Sequence, residues 1–226
     1  MATIYELHPE NPQERSIEQI TKALKDGAIM LYPTDTVYAI GCDLNSKSGI
    51  DRVRQIKQLS NDKPLTFLCS SLSNISEYAI VSNEAYRLIK RLIPGPYTFL
   101  LPATKSVPRL VMSPKRKTTG IRVPNHKVCL SLLEALGNPI ISTSAHISND
   151  DEGQVPTVLK TDMGLDKVHL FDYLEKIVDV IVDVDDGSGL RNQVSTIIDM
   201  TLDKPTIVRS GLGADLIVNL IGENFS

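Results

Sequence analysis

The sequence predicts an α/β fold, with helices layered on a mixed sheet. Three observations predict it. Helix and strand signals alternate from end to end, no Pro/Gly/Ser-rich linker interrupts them, and 226 residues are enough to bury one large core. A single domain spanning 1–226 is therefore expected.

Thr3–Leu7 reads as a short strand. Ser16 and Gln19 have capping-box spacing, Ile17, Ile20 and Leu24 form an apolar stripe, and Gly27 follows, which predicts a helix over 16–26. The apolar run at 28–32 predicts a buried strand. A helix is expected over 48–57, where Ile50, Val53 and Ile56 share a face, then a strand over 65–69 and a short helix over 71–78. A capped helix over 82–91 is broken by Pro94-Gly95-Pro96. Strands over 97–101 and 119–123 flank a basic loop. A helix over 127–136 stops at Gly137, and a strand over 139–142 leads into a hydroxyl cluster. A helix over 170–176 and strands over 178–184, 195–200 and 206–209 complete the sheet.

Composition narrows the function classes. Apolar residues make up 42% and charged residues 23%, which is ordinary globular usage. No apolar run is long enough to span a membrane, and no signal peptide is read at the start, so a cytoplasmic protein with no membrane partner is expected. Cys42, Cys69 and Cys129 form no C-x-x-C pair, so they are expected to be buried thiols rather than disulfides or zinc ligands. His8, His126, His146 and His169 lack ligand spacing, and no metal site is expected. The net charge of −3 is unevenly spread. Between Arg87 and Lys127 there are ten bases and no acid, and between Asp150 and Asp186 eleven acids and three lysines. The basic run could steer phosphates; the competing reading is a solvated face.

Polar residues gather where apolar strands end, which is where α/β sheets bind ligands. The first group is Pro33-Thr34-Asp35-Thr36-Val37-Tyr38-Ala39-Ile40-Gly41, with an ordinary Asx/ST turn as the alternative. The second is Lys57 with Ser60-Asn61-Asp62-Lys63-Pro64-Leu65. Lysine is a point-charge ligand for phosphate, although a lysine at a helix end is also favoured by the macrodipole. Third is Thr118-Thr119-Gly120-Ile121-Arg122-Val123-Pro124. An arginine in an apolar strand needs a partner, either a bound carboxylate or phosphate or an acid elsewhere in the chain. Fourth is Ile141-Ser142-Thr143-Ser144-Ala145-His146, three hydroxyls in a row. Val194-Ser195-Thr196 and Val208-Arg209-Ser210-Gly211 add a hydroxyl pair and a further cation. No nucleophile–base–acid pattern surrounds the serines, so no catalytic nucleophile is assigned. Neither a Rossmann fingerprint nor a Walker loop is present.

Taken in order, with Pro94-Gly95-Pro96-Tyr97-Thr98 between the second and third, these segments resemble the YrdC/YciO family, whose best-known members are threonylcarbamoyl-AMP synthases. The resemblance runs from about Ser16 to Gly213. It implies a twisted, open, mixed sheet with a concave basic surface. It also implies a reaction of L-threonine, bicarbonate and Mg²⁺-ATP to threonylcarbamoyl-AMP and pyrophosphate, feeding threonylcarbamoyladenosine formation in tRNA. Under it, Thr36, Arg122 and Ser195 hold threonine, with Arg122 on the carboxylate. Lys57, Lys63, Thr118, Ser142, Ser144 and Arg209 hold the nucleotide. Catalysis would come from positioning and charge neutralisation.

Leu59, Leu68 and His146 stand where family enzymes carry arginine, histidine and asparagine, and these departures resemble the YciO branch. Two further readings stand beside a synthase or weakened synthase. One is a non-catalytic protein binding tRNA or double-stranded RNA; the other is a transferase using the same cleft on another small molecule.

Overall fold

A computed structural model describes residues 1–59, 65–145, 167–185, 187, 193–202 and 204–224, with side chains through 220. The strands are β1 (Thr3–Leu7), β2 (Met30–Tyr32), β3 (Ala39–Asp43), β4 (Thr66–Leu68), β5 (Tyr97–Pro102), β6 (Thr118–Arg122), β7 (Ile140–Ser144), β8 (Val180–Val184), β9 (Thr196–Asp199) and β10 (Thr206–Arg209). The helices are α1 (Glu14–Lys25), α2 (Lys47–Ile56), α3 (Leu72–Tyr78), α4 (Asn83–Leu92), α5 (Lys127–Leu136), α6 (Lys167–Leu174) and α7 (Ala214–Asn224). Among the described residues the ten strands form one mixed sheet, ordered β1-β8-β2-β3-β7-β4-β6-β5-β9-β10.

Side chains alternate across a strand, so each strand feeds two layers. One face is mainly apolar: Leu31, Ile40, Ile141, Phe67, Ile121, Phe99 and Ile198 pack beneath α2, α3, α4, α6 and α7. The opposite face is divided. Over β1, β8, β2 and β3 it is covered by α1 and α5, whose Ile20, Leu24, Leu132 and Leu136 meet Met30, Tyr32, Val180 and Val182. Beyond β3 that face carries Ser142, Thr66, Gly120, Arg122 and Thr98, and these line an open cleft or its floor.

Local chemistry explains most boundaries. Ser82 Oγ accepts from the Ala85 amide at 3.1 Å and caps α4, as its sequence predicts. Gly137 ends α5 with φ 79°, the left-handed C-terminal position that favours glycine. The Ser16 capping box does not form. α1 starts at Glu14 because the Gln13 carbonyl already takes the Ser16 and Ile17 amides, each at 3.0 Å. α6 begins three residues before the expected 170, and buries Leu170 and Leu174, an i, i+4 pair, against the core. Two elements were not expected: β3, inside the first polar segment, and α7. Ser142, Thr143 and Ser144 belong to β7 itself rather than to a loop after it.

All three cysteines are free and buried. Burial, with the Asp43 charge nearby, pushes the Cys42 thiol up to about 12, and burial raises Cys69 and Cys129 further. They are therefore inert thiols. No described helix is long and apolar enough to cross a membrane.

Candidate functional site

The loop between β2 and β3 is a compact hydroxyl turn. Thr34 Oγ1 donates to the Val37 carbonyl at 2.8 Å and accepts from the Thr36 amide at 3.0 Å. Its proton is thus committed, so the 3.0 Å contact between the two threonine hydroxyls is donated by Thr36. Thr36 Oγ1 in turn accepts from Arg122 Nη1 at 2.9 Å. Arg122 Nη2 forms a close ion pair with Asp35, and Arg122 Nε donates to the Gly95 carbonyl at 3.4 Å. The Cys129 thiol donates to the Pro33 carbonyl at 3.0 Å, which ties α5 to the same loop.

Of the two partners expected for Arg122, the structure shows the acid elsewhere in the chain. Asp35 is the partner that a buried cation requires, from 87 residues away, and Arg122 lines the cleft. Asp35 and Arg122 are each only 7% exposed at the side chain, so the pair is shielded from solvent.

A second cation faces it. Arg209, on the edge strand β10, folds back over β9. Its Nη2 donates to the Ser195 carbonyl at 2.8 Å and to Ser195 Oγ at 3.1 Å, and Nε reaches the same carbonyl at 3.2 Å. Ser195 Oγ also pairs with Thr98 Oγ1 at 3.0 Å. The return of the chain against β9 needs a glycine at 211, where a Cβ would sit 2.3 Å from the Val194 carbonyl oxygen. Partial burial, and secondly the Arg122 charge, lower the pKa of Arg209. Both guanidinium-bearing residues line the same cleft, so an anion there would meet both.

The cleft has a volume of about 190 Å³. That is below the roughly 300 Å³ that encloses a drug-sized molecule, so the described walls suit one small ligand or one part of a larger one. Of the residues singled out in the sequence, Thr36, Arg122, Ser142, Ser144, Ser195 and Arg209 line it together. Lys57 does not. It is the C-terminal cap of α2, and its Nζ donates to the Ser144 carbonyl of β7 at 3.0 Å. Thr118 is buried at the start of β6 and is not one of the lining residues. Lys63 and His146 lie outside the described residues. Leu59 and Leu68 both line the cleft, so two of the departures from the family pattern fall on its wall. Among the described residues, no group of three His, Cys, Asp or Glu could hold a metal ion.

Sequence reasoning did not single out Thr66 or Tyr32, and gave Thr143 and Thr98 only as members of their motifs, without a site role. Thr66 and Thr98 had a signal: each is the polar member of a short strand otherwise apolar, facing opposite to its buried neighbour Phe67 or Phe99. Tyr32 had none, because a buried aromatic at a strand end looks like core.

Comparison with known proteins agrees with this architecture. The Sua5_yciO_yrdC family model, described as "Telomere recombination", matches residues 22–211. An uncharacterized protein of Haemophilus influenzae is 42% identical over 214 residues, covering 95% of this chain and 98% of its own. The crystal structure of Escherichia coli YciO is 39% identical, covers 94% of this chain and 97% of its own, and superposes with a TM-score of 0.81. That of Pyrococcus abyssi Sua5 complexed with L-threonine is 28% identical, covers 98% of this chain but 62% of its own, and gives a TM-score of 0.82. A fold with this sheet order, matched by sequence over most of its length, is a member of the Sua5/YciO/YrdC family.

Proposed function

We propose that this chain is a threonylcarbamoyl-AMP synthase-like protein with weakened activity, binding L-threonine and ATP in the cleft and linked to threonylcarbamoyladenosine modification of tRNA. The observation that carries this reading is the pair of arginines, Arg122 with Thr36 and Arg209 with Ser195, facing one small hydroxyl-lined space. A relative of the same fold was crystallised with L-threonine.

In this reading Arg122 takes the threonine carboxylate, with Thr36 fixing the guanidinium and Ser195 opposite. Ser142, Ser144 and Arg209 face the phosphates, with Lys57, Lys63 and Thr118 supporting that side. L-threonine, bicarbonate and ATP would yield threonylcarbamoyl-AMP, pyrophosphate and water. No side chain need bond covalently to substrate; the protein contributes orientation and charge neutralisation. Leu59 is the reason for weakened activity. One missing fixed charge on a transferring phosphoryl group is worth about 10²–10³ in rate. The test is pyrophosphate release from Mg²⁺-ATP and bicarbonate with and without L-threonine. Slow, threonine-dependent release is expected; release that ignores threonine, or none at all, overturns the reading.

A second reading, non-catalytic binding of tRNA or double-stranded RNA, is favoured by one observation. Of the ten bases between Arg87 and Lys127, all but Arg122 are exposed. Affinity set by phosphate contacts falls linearly in log–log with salt. A salt titration that detects no complex with either RNA at low ionic strength removes this alternative.

A further inference from the structure

Tyr32 is fully buried on β2, yet its hydroxyl reaches the cleft wall. It donates to Ser142 Oγ on β7 at 2.8 Å, across the intervening strand β3. The crossing is possible because residue 41 is glycine. A Cβ there would lie 2.9 Å from Tyr32 Cε1 and 2.3 Å from the Ile141 carbonyl oxygen. Gly41 is paired with Ser142 in the β3–β7 register, so the ring lies over the backbone position beside the serine it serves. Ser142 is paired on its other side with Thr66, which lines the same cleft.

We propose that Tyr32 is a positioning residue that makes Ser142 a donor to an anionic oxygen of the bound ligand. A serine hydroxyl has one proton and two lone pairs. With Tyr32 occupying a lone pair from below, the serine proton is left for the cleft, and donation is strengthened because the two bonds polarise one another. Burial, and secondarily the neighbouring Cys129, raises the pKa of the phenol far above the ordinary tyrosine range, so it stays protonated and remains the donor at every working pH. The bland role for Tyr32, core packing alone, would not require its hydroxyl.

This proposal rests on the functional reading above only through the ligands chosen to test it. Binding of Mg²⁺-ATP, L-threonine and inorganic pyrophosphate is measured calorimetrically for wild type, Tyr32→Phe, Ser142→Ala and the double variant. Ser142→Ala is expected to weaken the ligand it contacts about ten-fold, Tyr32→Phe about three- to ten-fold, and the double variant no more than Ser142→Ala alone. Wild-type affinity in Tyr32→Phe, or losses that multiply in the double variant, overturns the proposal. If pyrophosphate binds and obeys the cycle while ATP and threonine do not bind, the synthase reading falls and the positioning role stands. If none of the three binds, both fall. A second readout does not depend on the folding of Tyr32→Phe: the exchange-protected hydroxyl proton of Tyr32 should shift in the NMR spectrum when ligand binds the wild type and should not in Ser142→Ala. A resonance indifferent to ligand overturns the proposal.

Discussion

One face of the sheet is used in two ways. Over β1, β8, β2 and β3 it meets α1 and α5 through Ile20, Leu24, Leu132 and Met30, all fully buried. Over β7, β4, β6 and β5 the same face presents Ser142, Thr66, Arg122 and Thr98 to an open cleft, which Arg209 joins from β10. Backbone pairing is continuous through both halves. The difference lies largely in side chains on one parity of the strands: over the mainly apolar half a helix covers them, and over the hydroxylic and cationic half no described helix does. Burying those hydroxyls without partners would cost more than the apolar area of another helix returns. Among the described residues, the site lies on the half that no helix covers.

That contrast can be broken most severely at Arg122, the most buried charge in the cleft. Arg122→Met should destabilise the protein by about 3–5 kcal/mol, because the Asp35 carboxylate is left in a shielded site without its guanidinium. Urea unfolding measures the loss, and an unchanged midpoint would mean that the pair contributes nothing. On the covered half, Leu132→Ala should cost about 2–5 kcal/mol of stability while the folded fraction keeps its ligand affinity. Thr98→Ala should do the opposite, losing about 1 kcal/mol or less but weakening ligand binding through Ser195. If the two variants behave alike, the division of the face has no functional meaning.

Leu59→Arg sharpens the comparison from the other side by adding a cation to the apolar part of the cleft wall. Threonine-dependent pyrophosphate release should rise about 10²-fold; no change would show that residue 59 does not face the phosphates. The smallest effect lies away from both halves. Arg52 holds Asp179 through two bonds of 2.7 and 3.2 Å, and the Ile29 amide donates to the same carboxylate at 2.7 Å. Burial alone would raise the Asp179 pKa, but these donors outweigh it and the net shift is downward. A depressed carboxylate contributes stability that is fully present above the unfolded pKa near 4 and is lost as pH falls through the lower folded value. The pair is about 40% exposed, so Asp179→Asn should flatten the acid limb by less than about 1 kcal/mol.

Elements governed by local chemistry were readable in the residues. α5 is bounded at 127 and 136 as expected because Gly137 enforces its end, and α4 because Ser82 caps it. β3 was hidden because it continues a polar loop without a break in composition. α7 was hidden because Leu216, Ile217, Val218 and Leu220 give no one-sided stripe. In the site, Thr36, Arg122, Ser142, Ser144, Ser195 and Arg209 could be gathered from their motifs. Which partners they choose could not. The Arg122–Asp35 pair closes over 87 residues and the Tyr32–Ser142 bond over 110, distances at which only tertiary packing selects a partner.

The most direct test of the uncovered half as a ligand site is a crystal structure of this chain grown with L-threonine. Its carboxylate should lie within hydrogen-bonding distance of the Arg122 guanidinium, with Ser195 and Arg209 opposite. Threonine bound at another surface, or a cleft that stays empty at saturating concentration, would contradict the account.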